Sequence, residues 1–515
     1  MKPLEKPAAP VTGPGPLVLG LAIVLAVALW ENAHKSIWLD EAYSLASSDG
    51  GALRAFREAV RTEQQPPVYF VLLALWRTLS PSIEWARVLS TACAMGAVAV
   101  LHRMSRQLGI GARWWSLGLV AALSPHLLYA AAEARPYSLA VLLIAAASAE
   151  FYAAWTVGRE PAPRGVRYGI AAWLALMTQY YAGFALAGQW AGAPLLGRVA
   201  RRRIAWCVLV LALALLVWMP VVLWQVTHYG NYIADPVTSA HGEAARLVQG
   251  AAWLLDAART VAFRGAPVVT RPGAAPLILA LAAAIVAARA WRGVGRWTPL
   301  ESVAVLGAVV PFAVLAFLRI TRLALVDTRH WIVVLPGALV LLGLLLSRVR
   351  TGPLASGLAG AVLALFAVST VSFVRNFTSP YDYRAAVRTM VERGPADRPI
   401  LSLDAHDSLP VFYYYRRLYH RRGRFGAIPR GLLPDAWTGP RDDTTSVRAA
   451  TDSLLRITGG RTRLWLLYQP WSTPDFNRRG FESDLKGLFR VNFARTYPGL
   501  RLLDVELRAA PGDSL

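Results

Sequence analysis

The chain has 515 residues, 55% of them hydrophobic, with a mean hydropathy of +0.40 and a formal net charge of +23. That balance excludes an ordinary soluble domain, and apolar runs of about 17–25 residues recur at the length a helix needs to cross a bilayer. The Arg residues lie mostly between those runs, which points to orientation in a membrane and contact with anionic lipid and away from nucleic acid. Cys93 and Cys207 fall inside apolar runs, so no disulfide framework is implied, and no metal-type Cys/His spacing is present.

In chain order, Lys2 and Lys6 precede a first apolar run in the manner of a signal peptide, with Ala26-Val27-Ala28 as a conceivable cleavage site. Further spans follow directly, so an uncleaved first helix near 16–31 is expected. Residues 32–66 form a first outer loop that holds the adjacent carboxylates Asp40 and Glu41 among Ile37, Trp38, Leu39 and Tyr43. Ionised groups at such an interface cost free energy unless paired or hydrated. A hydrated acid pair beyond a helix end is the plain alternative. A short surface helix with Arg54, Arg57 and Arg61 follows. Gln65-Pro66-Pro67-Val68-Tyr69 opens an apolar run ending near Leu79, too short for a comfortable span, so a re-entrant or tilted helix is expected.

From Trp85 the spans alternate with basic links. Arg103, Arg106 and Arg113 mark one side, and Glu133-Ala134-Arg135-Pro136-Tyr137 marks the outer one. Arg159, Arg164 and Arg167 return inside, a pair of spans brackets Tyr180-Tyr181, and Arg198 with Arg201, Arg202 and Arg203 is inside again. A longer outer loop over 225–272 is expected to carry an amphipathic helix around 243–261. Arg289, Arg292 and Arg296 lie inside, a span start follows at Arg329, and Arg348 and Arg350 lie inside before a last span near 353–373. The basic clusters fall mostly on one side, which supports about 11 spans. The expected fold is therefore mainly α: a polytopic transmembrane helical bundle over 1–375, followed by a small α/β extracytoplasmic domain over 376–515. In that domain helices are predicted at 382–392 and 482–489 and strands at 399–404, 463–468 and 500–507.

Four features collect on the expected outer face: Asp40-Glu41, Gln65-Pro66-Pro67-Val68-Tyr69, Glu133-Ala134-Arg135-Pro136-Tyr137, and Thr328-Arg329-His330-Trp331 with Pro336; Arg87 to Ser90 is a further segment of interest. Taken singly, Arg135 reads as a snorkelling side chain, Tyr137 and Trp331 as aromatic-belt residues, and His330 as an interfacial histidine. Arg87 reads as a buried Arg satisfied by carbonyls. Taken together, the segments resemble the membrane-embedded glycosyltransferases of the C-type fold, and most nearly the bacterial relatives of protein mannosyltransferases and of lipid A aminoarabinose transferases. The likeness covers roughly 16–350. Two positions depart from the family pattern: Gln65 stands where His or Lys often precedes the prolines, and His330 stands where Tyr is usual.

The resemblance implies an inverting transfer of a sugar from a polyprenyl-phosphate carrier to a cell-envelope acceptor, on the extracytoplasmic face. It implies Asp40 as general base, with Glu41 orienting it or binding the sugar. Arg135 and Arg329 would neutralise the departing lipid phosphate, because guanidinium stays charged and binds two oxygens at once, with Lys35 behind them. Arg87, Glu133 and Tyr137 complete the expected binding residues. The expected partners are the polyprenyl-phosphate-linked sugar, an envelope acceptor of unknown kind and membrane lipids, with no nucleic acid. No cofactor or metal is expected, although a divalent cation stays open. A transporter or lipid flippase is the competing class, since acids and Arg at a membrane face also suit an ion or lipid pathway. The charges cluster at span ends, which argues against it. A receptor-like binding protein has no support in the membrane half.

Overall fold

The computed structural model describes residues 12–153, 161–196, 198–229, 298–321, 328–348, 353–375, 381–395, 398–402, 408–420, 425–427, 456, 458, 460–469 and 489–507. These residues form two compact units, 12–33 with 47–375 and 34–46 with 381–507. The second unit thus takes in the short stretch that carries the acidic pair.

The first unit is helical: α1 (Gly15–His34), α2 (Leu39–Ser47, lying mostly in the second unit), α3 (Ala52–Arg61), α4 (Val68–Trp76), α5 (Ile83–Leu108), α6 (Leu117–Ala122), α7 (Pro125–Ala131), α8 (Tyr137–Phe151), α9 (Pro161–Leu176), α10 (Ala182–Ala191), α11 (Arg198–Tyr229), α12 (Pro299–Thr321), a 3-10 turn (Thr328–Val334), α13 (Leu335–Arg348) and α14 (Pro353–Arg375). Six of the described helices are long and apolar enough to cross a membrane by length and composition: α1, α5, α11, α12, α14, and the stretch Arg329–Ser347 through α13. The expected amphipathic helix over 243–261 lies outside the described residues.

Local chemistry explains the boundaries. α5 starts where Ser82 accepts from the Trp85 N–H at 3.1 Å, and it ends at Gly109 in the left-handed conformation, φ 68°. The run leading to Glu133, expected as one span, is two short helices. Pro125 opens α7, and the extended Ser124 before it breaks the ladder, because the ring disfavours helical geometry in the preceding residue. α4, following the double proline, is nine residues long and buries Tyr69, Phe70, Leu73 and Ala74. The core gathers α1 and α5–α14, with Trp331, Tyr137, Tyr152 and Tyr168 among its largest buried side chains.

The second unit adds α15 (Tyr383–Arg393), α16 (Ser408–Tyr413) running into a π-helical turn (Tyr414–Leu418), and five strands: β1 (Ile400–Ser402), β2 (Phe425–Ala427), β3 (Arg463–Tyr468), β4 (Phe489–Tyr497) and β5 (Leu500–Leu507). The sheet order is β2-β1-β3-β5-β4, parallel across β2, β1 and β3 and antiparallel from β3 through β5 to β4. β3 is buried on both faces beyond its first residue, as its unbroken apolar run Leu464–Tyr468 requires. β4 and β5 are joined by Pro498-Gly499, where Gly499 takes φ 65°, a conformation open to glycine. The helix predicted over 482–489 fails at its last residue, since Phe489 opens β4, and 481–488 lie outside the described residues. The buried Asp504 on β5 is held by Arg463 at 2.7 and 3.1 Å and by Arg398 at 3.1 Å.

Candidate functional site

Three of the segments singled out in the sequence meet on one face of α5. Arg87, Ser90 and Thr91 fall one turn apart, so they share that face. Thr91 Oγ1 donates to the Ala131 carbonyl at 2.9 Å and Ser90 Oγ to the Arg135 carbonyl at 3.5 Å, which braces the turn between α7 and α8. The Tyr69 hydroxyl, from the double-proline segment, lies 3.4 Å from Ser90 Oγ. The same segment is tied down by Val68, whose N–H donates to the Met177 carbonyl at 3.0 Å.

The turn itself is tight: the Arg135 N–H donates to the Glu133 carbonyl at 2.8 Å. The Arg135 guanidinium donates to Glu63 Oε2 at 2.8 Å, and both side chains are only 4% exposed. Ser47 Oγ donates to the other Glu63 oxygen at 3.2 Å. Glu63 is thus a site residue that sequence reasoning missed. Arg87 is fully buried and donates to Asn32 Oδ1 at 3.3 Å, while Asn32 in turn donates to the Glu84 carbonyl, so Arg87 fastens the end of α1 to α5.

A second group adjoins the first through Tyr137. His330 packs against Tyr181 with ring centroids 4.6 Å apart and against Tyr137 at 6.4 Å. Tyr181 lies within electrostatic reach of Arg329 and Tyr137. The 3-10 turn delivers Arg329 and His330, α8 begins at Tyr137, and Tyr181 caps α10. Arg329 is partly exposed and His330 mostly buried. Trp331 points into the core against Phe312, centroids 5.1 Å apart, and is therefore no belt residue.

The acidic pair sits in the second unit. The stretch expected as loop is the first turn of α2, where unpaired helix N–H groups favour negative charge. Neighbouring residues on a helix diverge by about 100°, so the two carboxylates face different ways. Glu41 and Lys35 are buried, whereas Asp40 is half-buried and thus the more accessible acid. The Asp40 carbonyl accepts from Ser44 Oγ at 3.1 Å. The backbone just before α2 is held by Tyr414, another residue the sequence did not flag. Among the described residues no cluster of three or more His, Cys, Asp or Glu could hold a metal ion.

No family model matches the chain, and no curated protein matches it in sequence. Solved structures match it in fold. The apo crystal structure of ArnT from Cupriavidus metallidurans aligns with 14% identity and a TM-score of 0.55, covering 95% of this chain and 98% of that one. The same enzyme bound to undecaprenyl phosphate aligns with 14% identity and a TM-score of 0.53, over 98% and 100% of the two chains. The archaeal oligosaccharyltransferase AglB from Archaeoglobus fulgidus, in complex with an inhibitory peptide and a dolichol-phosphate, gives 11% identity and a TM-score of 0.51, over 97% of this chain and 74% of that one. Both proteins are members of the C-type glycosyltransferase fold, and this chain has that fold.

Proposed function

We propose that the protein is an inverting glycosyltransferase, moving a sugar from a polyprenyl-phosphate carrier to a hydroxyl of a cell-envelope acceptor on the extracytoplasmic side. The observation that carries this reading is the gathering of the Arg87–Ser90, Pro66–Tyr69, Ala134–Tyr137 and Arg329–His330 segments within one helical unit. The likeness, over nearly all of this chain, to folds solved with undecaprenyl phosphate and with a dolichol-phosphate supports it.

The chemistry assigns roles. As the acceptor oxygen bonds to the anomeric carbon, Asp40 takes its proton; the sugar–phosphate bond breaks, and the lipid phosphate leaves with the electron pair. A phosphate leaves well without protonation, so no second acid is required, unlike glycoside hydrolysis. Arg329, partly exposed, is the first candidate donor to the developing phosphate charge, and Lys35 is a second cationic candidate. Arg135, tied to Glu63, is placed to hold the turn as well as to add charge. Tyr137, Glu133 and Arg87 are the remaining candidates for binding the substrates. Apolar helices hold the prenyl tail, each buried CH2 adding ~0.8 kcal/mol.

Asp40→Asn in the purified protein tests the reading. Sugar transfer from a polyprenyl-phosphate donor should fall by at least ~10², within the range ascribed to a general base, while membrane insertion stays intact. Transfer within a few-fold of the unaltered protein removes Asp40 from the role. Mass spectrometry of envelope glycolipids and glycans, with and without the protein, would identify sugar and acceptor.

A further inference from the structure

A tyrosine near the far end of the chain holds the entrance to the acidic helix. Residues 34–46 and the C-terminal segment form one compact unit. Tyr414 is fully buried; the Ile37 N–H donates to its hydroxyl at 2.7 Å, and Ser36 Oγ lies 3.2 Å from the same oxygen. Ser36 Oγ also accepts from the Arg384 N–H at 3.1 Å. That N–H belongs to the first turn of α15, where helix N–H groups look outside the helix for acceptors, and Ser36 supplies one. The Arg384 guanidinium lies 5.8 Å from the Tyr414 ring centroid.

The support behind these contacts is itself fixed. The Asp382 carboxylate caps α15 by accepting from the Ala385 N–H at 3.0 Å, and the Asp382 N–H donates to the Pro498 carbonyl between β4 and β5. Gln469 Nε2, at the end of β3, donates to the Tyr383 hydroxyl at 3.0 Å. Tyr414 opens the π-helical turn, a geometry that recurs at functional sites. Packing alone would be served by phenylalanine. The hydroxyl is used on the backbone two residues before α2 begins, and Asp40 is the second residue of that helix.

We propose that Tyr414 is a positioning residue: its hydroxyl fixes the backbone at Ser36-Ile37 so that the first turn of α2 presents Asp40 in one orientation. The C-terminal unit is then a working part of the transferase and not an appendage. This rests on Asp40 serving as the base.

Tyr414→Phe in the full-length protein keeps the ring and removes the hydroxyl. Two readouts apply: amide hydrogen exchange of residues 35–44, with Val387–Arg393 of α15, beyond its Ser36-bonded first turn, as internal control, and turnover at saturating lipid-linked sugar across pH. Exchange at 35–44 should rise and kcat should fall, each by roughly fivefold to tenfold, the weight of one or two hydrogen bonds. Val387–Arg393 stay protected and KM for the donor is unchanged. The acid limb of the pH–rate profile, which reports the base, shifts, whereas loss of folded enzyme would scale the profile without moving it. Unchanged exchange at 35–44 overturns the proposal, as does faster exchange with turnover and pH profile intact. If the unaltered protein transfers no sugar, the transferase reading fails while the exchange arm still decides whether Tyr414 holds the segment. If Tyr414→Phe does not fold, Ser36→Ala removes the hydroxyl that links Tyr414 to the Arg384 N–H; exchange at 35–44 should rise and kcat fall with Val387–Arg393 still protected, and unchanged exchange or turnover overturns the proposal.

Discussion

At the scale of single residues, the buried Glu63–Arg135 pair governs how the site is held. Removing one partner strands the other charge in an apolar interior, at a cost of about 3–5 kcal/mol. Glu63→Ala should therefore lower the thermal stability of the detergent-solubilised protein by about that much, and the double variant Glu63→Leu/Arg135→Met should recover most of it. A double variant as unstable as the single one would show that the pair is not the source. Arg135 and Arg329 separate on a gentler substitution. Lys keeps the charge but loses the planar fork, so Arg329→Lys should cost ~10²–10³ in turnover if Arg329 meets the departing phosphate. Near-normal turnover would discard that role. Arg87, Arg135, Tyr137 and Arg329 could be singled out as candidates because each lies in a recognisable segment. Glu63 could not: its partner is 72 positions away, and no local spacing encodes that meeting.

Among the elements, three helices cross where glycine leaves no room for a side chain. A Cβ on Gly188 of α10 would stand 2.6 Å from the Leu306 carbonyl of α12, and one on Gly337 of α13 would stand 2.4 Å from the Gly307 carbonyl. Gly337→Val must force α13 and α12 apart, at roughly the 1–3 kcal/mol of an overpacked core. Because the turn carrying Arg329 and His330 leads into α13, the displacement should reach the His330–Tyr181 contact and reduce turnover as well. Gly360→Val on α14, where an added Cβ meets nothing within 4 Å, is the control and should leave both unchanged. Reading the elements from sequence worked where apolar length or a proline set the boundary, as for α1, α4, β3 and β5. It failed at β4, which mixes exposed charged residues with apolar ones in the manner of an edge strand, and at β2, whose three residues carry no period.

Over the whole molecule, the proposed orientation places the C-terminal unit outside and the Arg201–Arg203 cluster near the start of α11 in the cytoplasm. In a background lacking Cys93 and Cys207, a cysteine at Arg388, which is exposed on α15, should react with a membrane-impermeant thiol reagent in intact cells, and one at Arg202 should not. The reverse pattern would overturn the orientation. The division into a helical unit and an α/β unit could be read from composition, since charged residues become frequent only after the last span. The membership of residues 34–46 in the second unit could not, because it depends on pairings between the two ends of the chain. That membership has a consequence in time. Ser36 and Tyr414 are 378 positions apart, so at the usual ~5–20 residues per second a ribosome needs roughly 20–80 s to make the second after the first. Through that interval the Ile37 N–H lacks its Tyr414 acceptor. If Tyr414 seats Asp40 as proposed, a chain stopped before Tyr414 would carry the helices of the first unit yet lack that contact, and synthesis itself would withhold activity until the C-terminal unit is made.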